Sequence, residues 1–336
     1  MGPSPIFYSQ RMKVSVTVHV YNHEKFIANT LESIVSQQTT FPFEVIVGDD
    51  CSTDGSREII RAYQEKYPEI IKPLFHPQNL GGYGKMNALA TFEVAQGEYI
   101  ATVDGDDYWI DPLKLQKQID FLDAHPDFIA CFHNAIIRFD DGAFPDTNVN
   151  PIDQKDVITV DDLVGEEEIW FIATSSLIFR HHRLGAMPQW FYDSKSGDIP
   201  RLILLAKLGP MKYLPDVMSV YRKNAGGLSF TDHKNDAAFL WNRLGMYRGI
   251  DQELGFRFHS RLRKTYATYF LQLAGARQYI GTWRQPWYAL KSLYLSRPNA
   301  SQHTKQVLQD WVIPNGLMQI YADTKYRIEK ILGRKP

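Results

Sequence analysis

The chain has 336 residues, of which 44% are hydrophobic and 22% charged, and a net charge of −1; this suits a globular enzyme of one large domain with extensions or of two domains. Two cysteines, Cys51 and Cys131, exclude a disulfide framework, and no apolar run approaches the roughly 20 residues of a membrane span. The start, M-G-P-S-P-I-F-Y, lacks a signal-peptide pattern, so the expected compartment is the cytoplasm. The charge is uneven: Lys and Arg number 20 against 31 Asp and Glu over residues 1–231, and 17 against 7 over 232–336, giving −11 and +10. A basic tail of this kind reads as a surface for an anionic membrane or a charged acceptor, or as a solvated helical face that complements the acidic part.

In chain order, Lys13–Val20 alternates strictly and predicts a strand, although buried parallel strands usually read as continuous apolar runs. A helix follows with Phe26, Ile27, Leu31, Ile34 and Val35 on one stripe and Asn22 as its expected N-cap. A second strand, Phe43–Val47, leads through G-D-D-C-S-T-D-G to a helix ending at about Lys66. Ile70–Phe75 predicts a third strand, which Pro73 assigns to an edge because it lacks a ladder donor. A glycine-rich loop precedes a helix ending near Gly97, and a strand from Ile100 runs into Asp104-Gly105-Asp106-Asp107. Further predictions are a helix over Asp111–His125, strands over Phe128–Phe139, Ile169–Arg180 and Tyr213–Arg222, and a helix over Ile199–Leu208. From Asp232 onward the periodicity is helical, broken by Pro286, Pro298 and Pro314. This βαβα order predicts a mainly parallel sheet with helices on both faces and a ligand site at the carboxyl ends of its strands.

The acidic cluster after Val103 has two readings. Asp104 and Asp106 can share a face and hold a hard cation together with substrate phosphates, with Gly105 allowing close approach. Alternatively the cluster is an acidic turn before a helix that Asp111 caps, with Pro112 at its first position. The Gly48–Gly55 loop places Asp49 and Asp50 past a strand end, where a carboxylate can accept from a base N–H or a ribose hydroxyl; Ser52, Thr53 or Asp54 suit helix capping. Asn79–Lys85 joins glycines to a lysine suited to phosphate, or is a flexible turn; its spacings fit neither the dinucleotide fingerprint nor the Walker motif.

The succession of these loops on consecutive βα units resembles the family-2 glycosyltransferases, the inverting group with the A-type, Rossmann-like nucleotide-sugar fold. The resemblance rests on V-S-V-T-V-H-V-Y-N-H-E at Val14–Glu24, E-V-I-V-G-D-D-C-S-T-D-G-S at Glu44–Ser56, and the Asn79–Asp107 run ending in D-G-D-D-Y-W. It continues through S-G-D-I-P at Ser196–Pro200 and Y-R-K-N-A-G-G at Tyr221–Gly227. It implies a nucleotide-sugar-binding catalytic domain over residues 12–231 and a basic helical extension over 232–336. Val20, Tyr21 and Glu24 are expected to line the nucleotide pocket and Asp50 to meet the base. Lys85 stands near a basic position of the family, Asp104, Gly105 and Asp106 match its D-x-D motif, and Asp198 matches its catalytic base. Arg222 matches the diphosphate-binding arginine of an R-x-H element, whose histidine position is here Asn224, a poor metal ligand beside imidazole.

The activity so implied moves a sugar from a nucleoside-diphosphate donor, UDP-linked, to a hydroxyl of a glycan or lipid-linked acceptor in polysaccharide biosynthesis. The expected cofactor is Mg²⁺ or Mn²⁺ at Asp106 and Asp104. Trp170, Thr174, Ser175 and Trp190 are acceptor-side candidates, with core packing as the other role for a tryptophan. No nucleic-acid partner is expected, and association with the inner face of the cell membrane would run through residues 232–336. Two other readings are a sugar nucleotidyltransferase, which lacks its basic glycine-rich loop here, and a non-catalytic carbohydrate-binding scaffold, against which Asp104, Asp106 and Asp198 stand.

Overall fold

The computed structural model describes residues 11–165, 171–224 and 236–296. It divides into two compact units, residues 1–163 with 169–231 and residues 164–168 with 232–336. In the first, β1 (Val14–Val20), β2 (Phe43–Asp49) and β3 (Ile71–Phe75) alternate with α1 (Ile27–Val35), α2 (Ser56–Lys66) and α3 (Lys85–Val94). Next come β4 (Tyr99–Asp104), β5 (Tyr108–Trp109), α4 (Lys114–Ala124), β6 (Ala130–Phe139), β7 (Thr147–Asn148), β8 (Val157–Ile158) and α5 (Val160–Leu163). The unit ends with β9 (Ile178–Arg180), α6 (Gln189–Asp193), α7 (Asp198–Leu208) and β10 (Met211–Lys223).

One sheet joins these strands in the order β3-β2-β1-β4-β9-β6-β10-β5, with β7 on β6 and β8 on β10. The pairs among β1 to β4 are parallel, as is β6 with β10. The short β9 runs antiparallel to both β4 and β6. The sheet is therefore mixed and mainly parallel, as the sequence order predicts, and β3 with Pro73 lies at its edge.

The alternation of β1 has a physical reason. Val14, Val16, Val18 and Val20 enter one apolar cluster with Ile27, Leu31, Ile60 and Leu115, while Ser15, Thr17 and His19 face the other way and are buried too. Their polar atoms are paired: Ser15 Oγ donates to Glu44 Oε1 (2.6 Å), Thr17 Oγ1 to the Ala101 carbonyl, and His19 Nδ1 lies 3.3 Å from Asp104 Oδ1. A second cluster on the sheet includes Phe92, Ile100, Phe132, Phe179 and Leu205.

Three local expectations are corrected. Asn22 does not cap α1: Phe26 is at the N-cap, and Asn22 has φ of 56° and accepts from the Thr53 backbone N–H at 2.8 Å. The helix expected from Asp111 begins at Lys114, because Asp111 Oδ1 accepts from the Leu113 N–H in a tight turn and Oδ2 pairs with Lys117. Of the strand expected over Ile169–Arg180, only Ile178–Arg180 forms; Ser176 Oγ and N–H both return to the Ala173 carbonyl, closing a helical turn over Thr174–Ser176 instead. Residues 169 and 170 lie outside the described residues.

A lysine is buried against Trp109. Lys114 Nζ lies 3.9 Å from the Trp109 ring centroid, has no hydrogen-bond partner among the described residues, and is fully buried. Burial pushes its pKa from 10.5 down to about 7. Between about pH 7 and 10.5 the unfolded chain binds this proton and the native chain does not, so native stability gained through Lys114 rises with pH in that window. Lys114→Met is expected to stabilise the fold at pH 6 by about 1–3 kcal/mol, the cost of an unpaired buried polar group. Melting temperatures measured from pH 6 to 10 should show that advantage shrinking as pH rises; a gap independent of pH would contradict this origin.

In the second unit, α8 (Ala237–Glu253), α9 (His259–Ala274) and α10 (Arg284–Leu295) pack around Leu240, Leu244, Leu262, Phe270 and Ala289. Pro286 falls in the first turn of α10, where its missing N–H costs nothing. Pro298 and Pro314 lie outside the described residues.

Candidate active site

The parallel strands β1, β2 and β4 all end on one edge of the sheet, at Val20, Asp49 and Asp104. Two antiparallel steps through β9 restore direction in β6 and β10, so β10 also ends there, bringing Arg222 and Asn224 to residues more than 100 positions earlier. Two contacts fasten the junction. The Arg222 backbone N–H donates to Asp107 Oδ1 (2.9 Å), and Asn224 Nδ2 donates to Asp106 Oδ2 (2.8 Å).

The acidic turn is built against the β1–α1 loop. A Cβ at Gly105 would stand 2.7 Å from His23 Nδ1 and 3.0 Å from Val20 Cγ2, so only glycine fits beneath that loop. Thr30 Oγ1 lies 2.9 Å from the Gly105 carbonyl oxygen and 2.6 Å from that of Asp107, so its single O–H is shared between two carbonyls of the turn. The three carboxylates differ in acidity. Burial opposes ionisation of Asp104, but the His19 hydrogen bond and the charges of His19, His23 and Arg201 outweigh it and hold its pKa below the usual range. Burial, then the charge of Asp104 against the relief from His23 and Asn224, raises that of Asp106. Burial followed by the charges of Asp106 and Asp104 pushes Asp107 well above the usual range. Asp107 is a structural carboxyl inside the turn; Asp104 and Asp106 face the strand ends.

The residues expected around the nucleotide divide into two groups. Asp50 is buried, and its Oδ1 accepts from the Leu80 N–H at 2.6 Å, tying the second loop to the glycine loop. Its backbone N–H reaches the Val20 carbonyl (2.9 Å), and Tyr21 beyond is half-exposed. Glu24 turns toward α2, where its Oε2 accepts from Gly55 N–H (2.7 Å), and Asp54 accepts from Ser56 N–H (3.0 Å). Asp49 pairs with Arg57 and is fully buried, so it supports the loop from within. Gly81, Gly82, Tyr83 and Gly84 all have positive φ, which the glycines adopt without strain.

Lys85 departs from expectation. It is buried, and its ammonium donates to the carbonyls of Phe191 (2.7 Å), Tyr192 (2.9 Å) and Ser194. Three acceptors satisfy its three donors, so it is a tie to the end of α6 rather than a phosphate cation. Gly197 packs on its stem, where an added Cβ would lie 3.2 Å from Lys85 Cγ.

That tie leads to Asp198, which begins α7 itself, with Gly197 at the N-cap. Its side chain is 54% exposed, and Oδ1 lies 3.4 Å from Nη2 of the buried Arg201, whose charge also reaches Asp104. Arg201 therefore links the first turn of α7 electrostatically to the acidic turn. On the acceptor side, Ser175 is fully buried with Oγ on Ser219 Oγ (3.1 Å), which withdraws it to the core. Thr174 and Trp190 are half-buried, and Trp170 lies outside the described residues.

The Arg222 guanidinium lies over the rings of Tyr108 (4.6 Å) and Phe26 (5.2 Å), and no carboxylate pairs with it among the described residues. Tyr108 is itself fixed by Arg138 Nη1 on its hydroxyl (2.7 Å). Sequence reasoning missed His19, His23, Arg201 and Tyr108. The two histidines were legible as polar residues flanking a strand end, whereas the long-range partners of Arg201 and Tyr108 leave no local pattern.

Comparison with known proteins agrees with this architecture. Residues 15–180 match the family model for Glycosyl transferase family 2, and this segment is a domain of that family. An uncharacterized protein of Mycobacterium tuberculosis is 35% identical over 233 residues, 66% of this chain and 62% of the relative, so the chain spans less than two thirds of that protein's length. The poly(ribitol-phosphate) beta-N-acetylglucosaminyltransferase TarS of Staphylococcus aureus is 41% identical over 117 residues, 34% of this chain and 19% of TarS. Among solved structures, TarS 1–349 in complex with UDP-GlcNAc superposes with a TM-score of 0.51 at 19% identity, covering 84% of this chain and 89% of that one. The mannosyltransferase PcManGT of Pyrobaculum calidifontis, in complex with GDP-Man and Mn²⁺, gives 0.51 at 22% identity over 91% and 80%. At these identities the structural likeness establishes the A-type glycosyltransferase fold.

Proposed function

We propose that residues 12–231 are an inverting glycosyltransferase domain that moves a sugar from a UDP-linked donor to a hydroxyl of a glycan or lipid-linked acceptor in polysaccharide assembly. The observation that carries this reading is the convergence at one sheet edge of Asp104, Asp106 and the Arg222 guanidinium, which no carboxylate pairs among the described residues, with Asp198 linked to them through Arg201. The UDP-GlcNAc and GDP-Man complexes of the two structural neighbours support a nucleotide-sugar donor.

The residues present fit a hard divalent cation, Mg²⁺ or Mn²⁺. Asp104 and Asp106 offer oxygen donors with lone pairs beyond those engaged by His19 and Asn224, and the crowding that raises Asp106 is relieved by positive charge. Among the described residues no three His, Cys, Asp or Glu side chains form a metal cage, so diphosphate and water would complete the shell. When bound, the cation supplies charge neutralisation for the departing diphosphate. Arg222 serves the same oxygens from the β10 end, and Asp198 takes the proton of the attacking hydroxyl.

A panel of nucleotide sugars with Mg²⁺ or Mn²⁺ tests the reading by thermal stabilisation and by product. A UDP-sugar at 100 times its dissociation constant should add about 2.7 kcal/mol. Turnover should give a product with the anomeric configuration opposite to that of the donor. Retained configuration, or pyrophosphate release from a nucleoside triphosphate, would overturn it, the latter in favour of a nucleotidyltransferase. Donor binding without transfer to any hydroxyl acceptor would favour a carbohydrate-binding scaffold.

A further inference from the structure

The helix α10 is apolar on two opposite sides. Tyr288, Ala289 and Ser292 face inward and are buried. Trp283, Trp287, Leu290 and Tyr294, spaced four, three and four apart, fall within about 60° of one another around the helix axis. They are 72%, 56%, 45% and 68% exposed. A surface helix needs only its inner stripe for the fold, and among the described residues the outer stripe is left exposed. Two tryptophans and a tyrosine suit a boundary where an apolar body meets water at a polar tip.

The charge around this stripe selects the partner. Residues 236–296 hold nine Lys and Arg against three Asp and Glu, and one of those acids, Asp251, is buried against His259. Cations mark both ends of the stripe: the Arg284 guanidinium lies 5.7 Å from the Trp283 ring, and Arg263 Nη2 donates to the Tyr294 carbonyl at 3.3 Å. Four side chains in one narrow row fall far short of the 20–30 residues a side of a stable protein interface. They suffice for a helix lying in a lipid headgroup layer, with basic residues toward anionic lipid. We propose that the outer face of α10 docks the protein on an anionic bilayer surface. This deepens the reading of a lipid-linked acceptor by naming how the enzyme meets it, yet it stands on observations separate from the catalytic edge.

The experiment is flotation of the full chain with vesicles of phosphatidylcholine alone or with 30% phosphatidylglycerol, at about 0.1 and 0.5 M salt. The wild-type protein should bind the anionic vesicles at least about tenfold more tightly than the neutral ones, and less at high salt. The double variant Trp283→Ser, Trp287→Ser should lose at least about tenfold in vesicle affinity while keeping its melting temperature, and Arg284→Gln with Arg263→Gln should weaken anionic binding alone. UDP-sugar binding by the same variants, measured in parallel without vesicles, should be unchanged, which separates failure of docking from failure of the catalytic reading. Absence of vesicle binding, equal binding to both vesicles, or undiminished binding by the tryptophan variant would overturn the proposal. A melting temperature or oligomeric state altered by the tryptophan substitutions, without any vesicle binding, would assign the face instead to another part of this chain or to a second copy.

Discussion

Replacing Asp198 by Asn is expected to lower turnover by about 10²–10⁴ while donor affinity and melting temperature hold. Asn keeps an oxygen for Arg201 but cannot accept a proton at neutral pH. The purely structural role is narrow here. Asp198 is the first residue of α7, where the helix dipole favours a carboxylate by about 0.3–1 kcal/mol, and its side chain is more than half exposed. If that were its whole function, the variant would lose no more than that stability and none of its turnover. Steady-state kinetics, donor titration and thermal unfolding on the same preparations decide between the two roles. Unchanged turnover would overturn the assignment of Asp198 as base.

What the sequence could carry was the local alternation of strand and helix. β1, β2 and β4, the edge position of Pro73, and the helix ending at Gly209 all follow from period and punctuation within a few residues. Polar alternation in β1 was a misleading signal only because Ser15, Thr17 and His19 find buried partners contributed by Glu44, Ala101 and Asp104. The misses share that cause. Asn22 as a cap, Lys85 as a phosphate ligand and Ser175 as an acceptor residue were each plausible by type, and each was decided by a partner 31 to 109 positions away. Lys85 shows the limit well: a lysine after three glycines looks free, yet the carbonyls at the end of α6 enclose it. Arg222 was expected at the diphosphate through its motif, and the sheet order explains why its backbone reaches an acidic turn more than 100 positions earlier.

Arg222→Met is expected to reduce kcat/KM by about 10²–10³, the usual loss when one preorganised donor to developing charge is removed. The fold should survive, since the contact that anchors this position is its backbone N–H on Asp107, which methionine retains. Arg222→Lys should recover only part of the loss. A lysine keeps the charge but not the planar group that lies over Tyr108 and Phe26, and its single ammonium cannot bond two phosphate oxygens in one plane. A guanidinium that meets the diphosphate also makes affinity depend on the phosphate chain. Affinity for UDP should fall by more than about tenfold in Arg222→Met, equivalent to 1.4 kcal/mol, while affinity for uridine should not change. Isothermal titration with the two ligands measures both numbers directly. An equal loss for uridine and UDP would mean that Arg222 shapes the pocket instead of meeting the diphosphate, and no loss for either would remove it from the site.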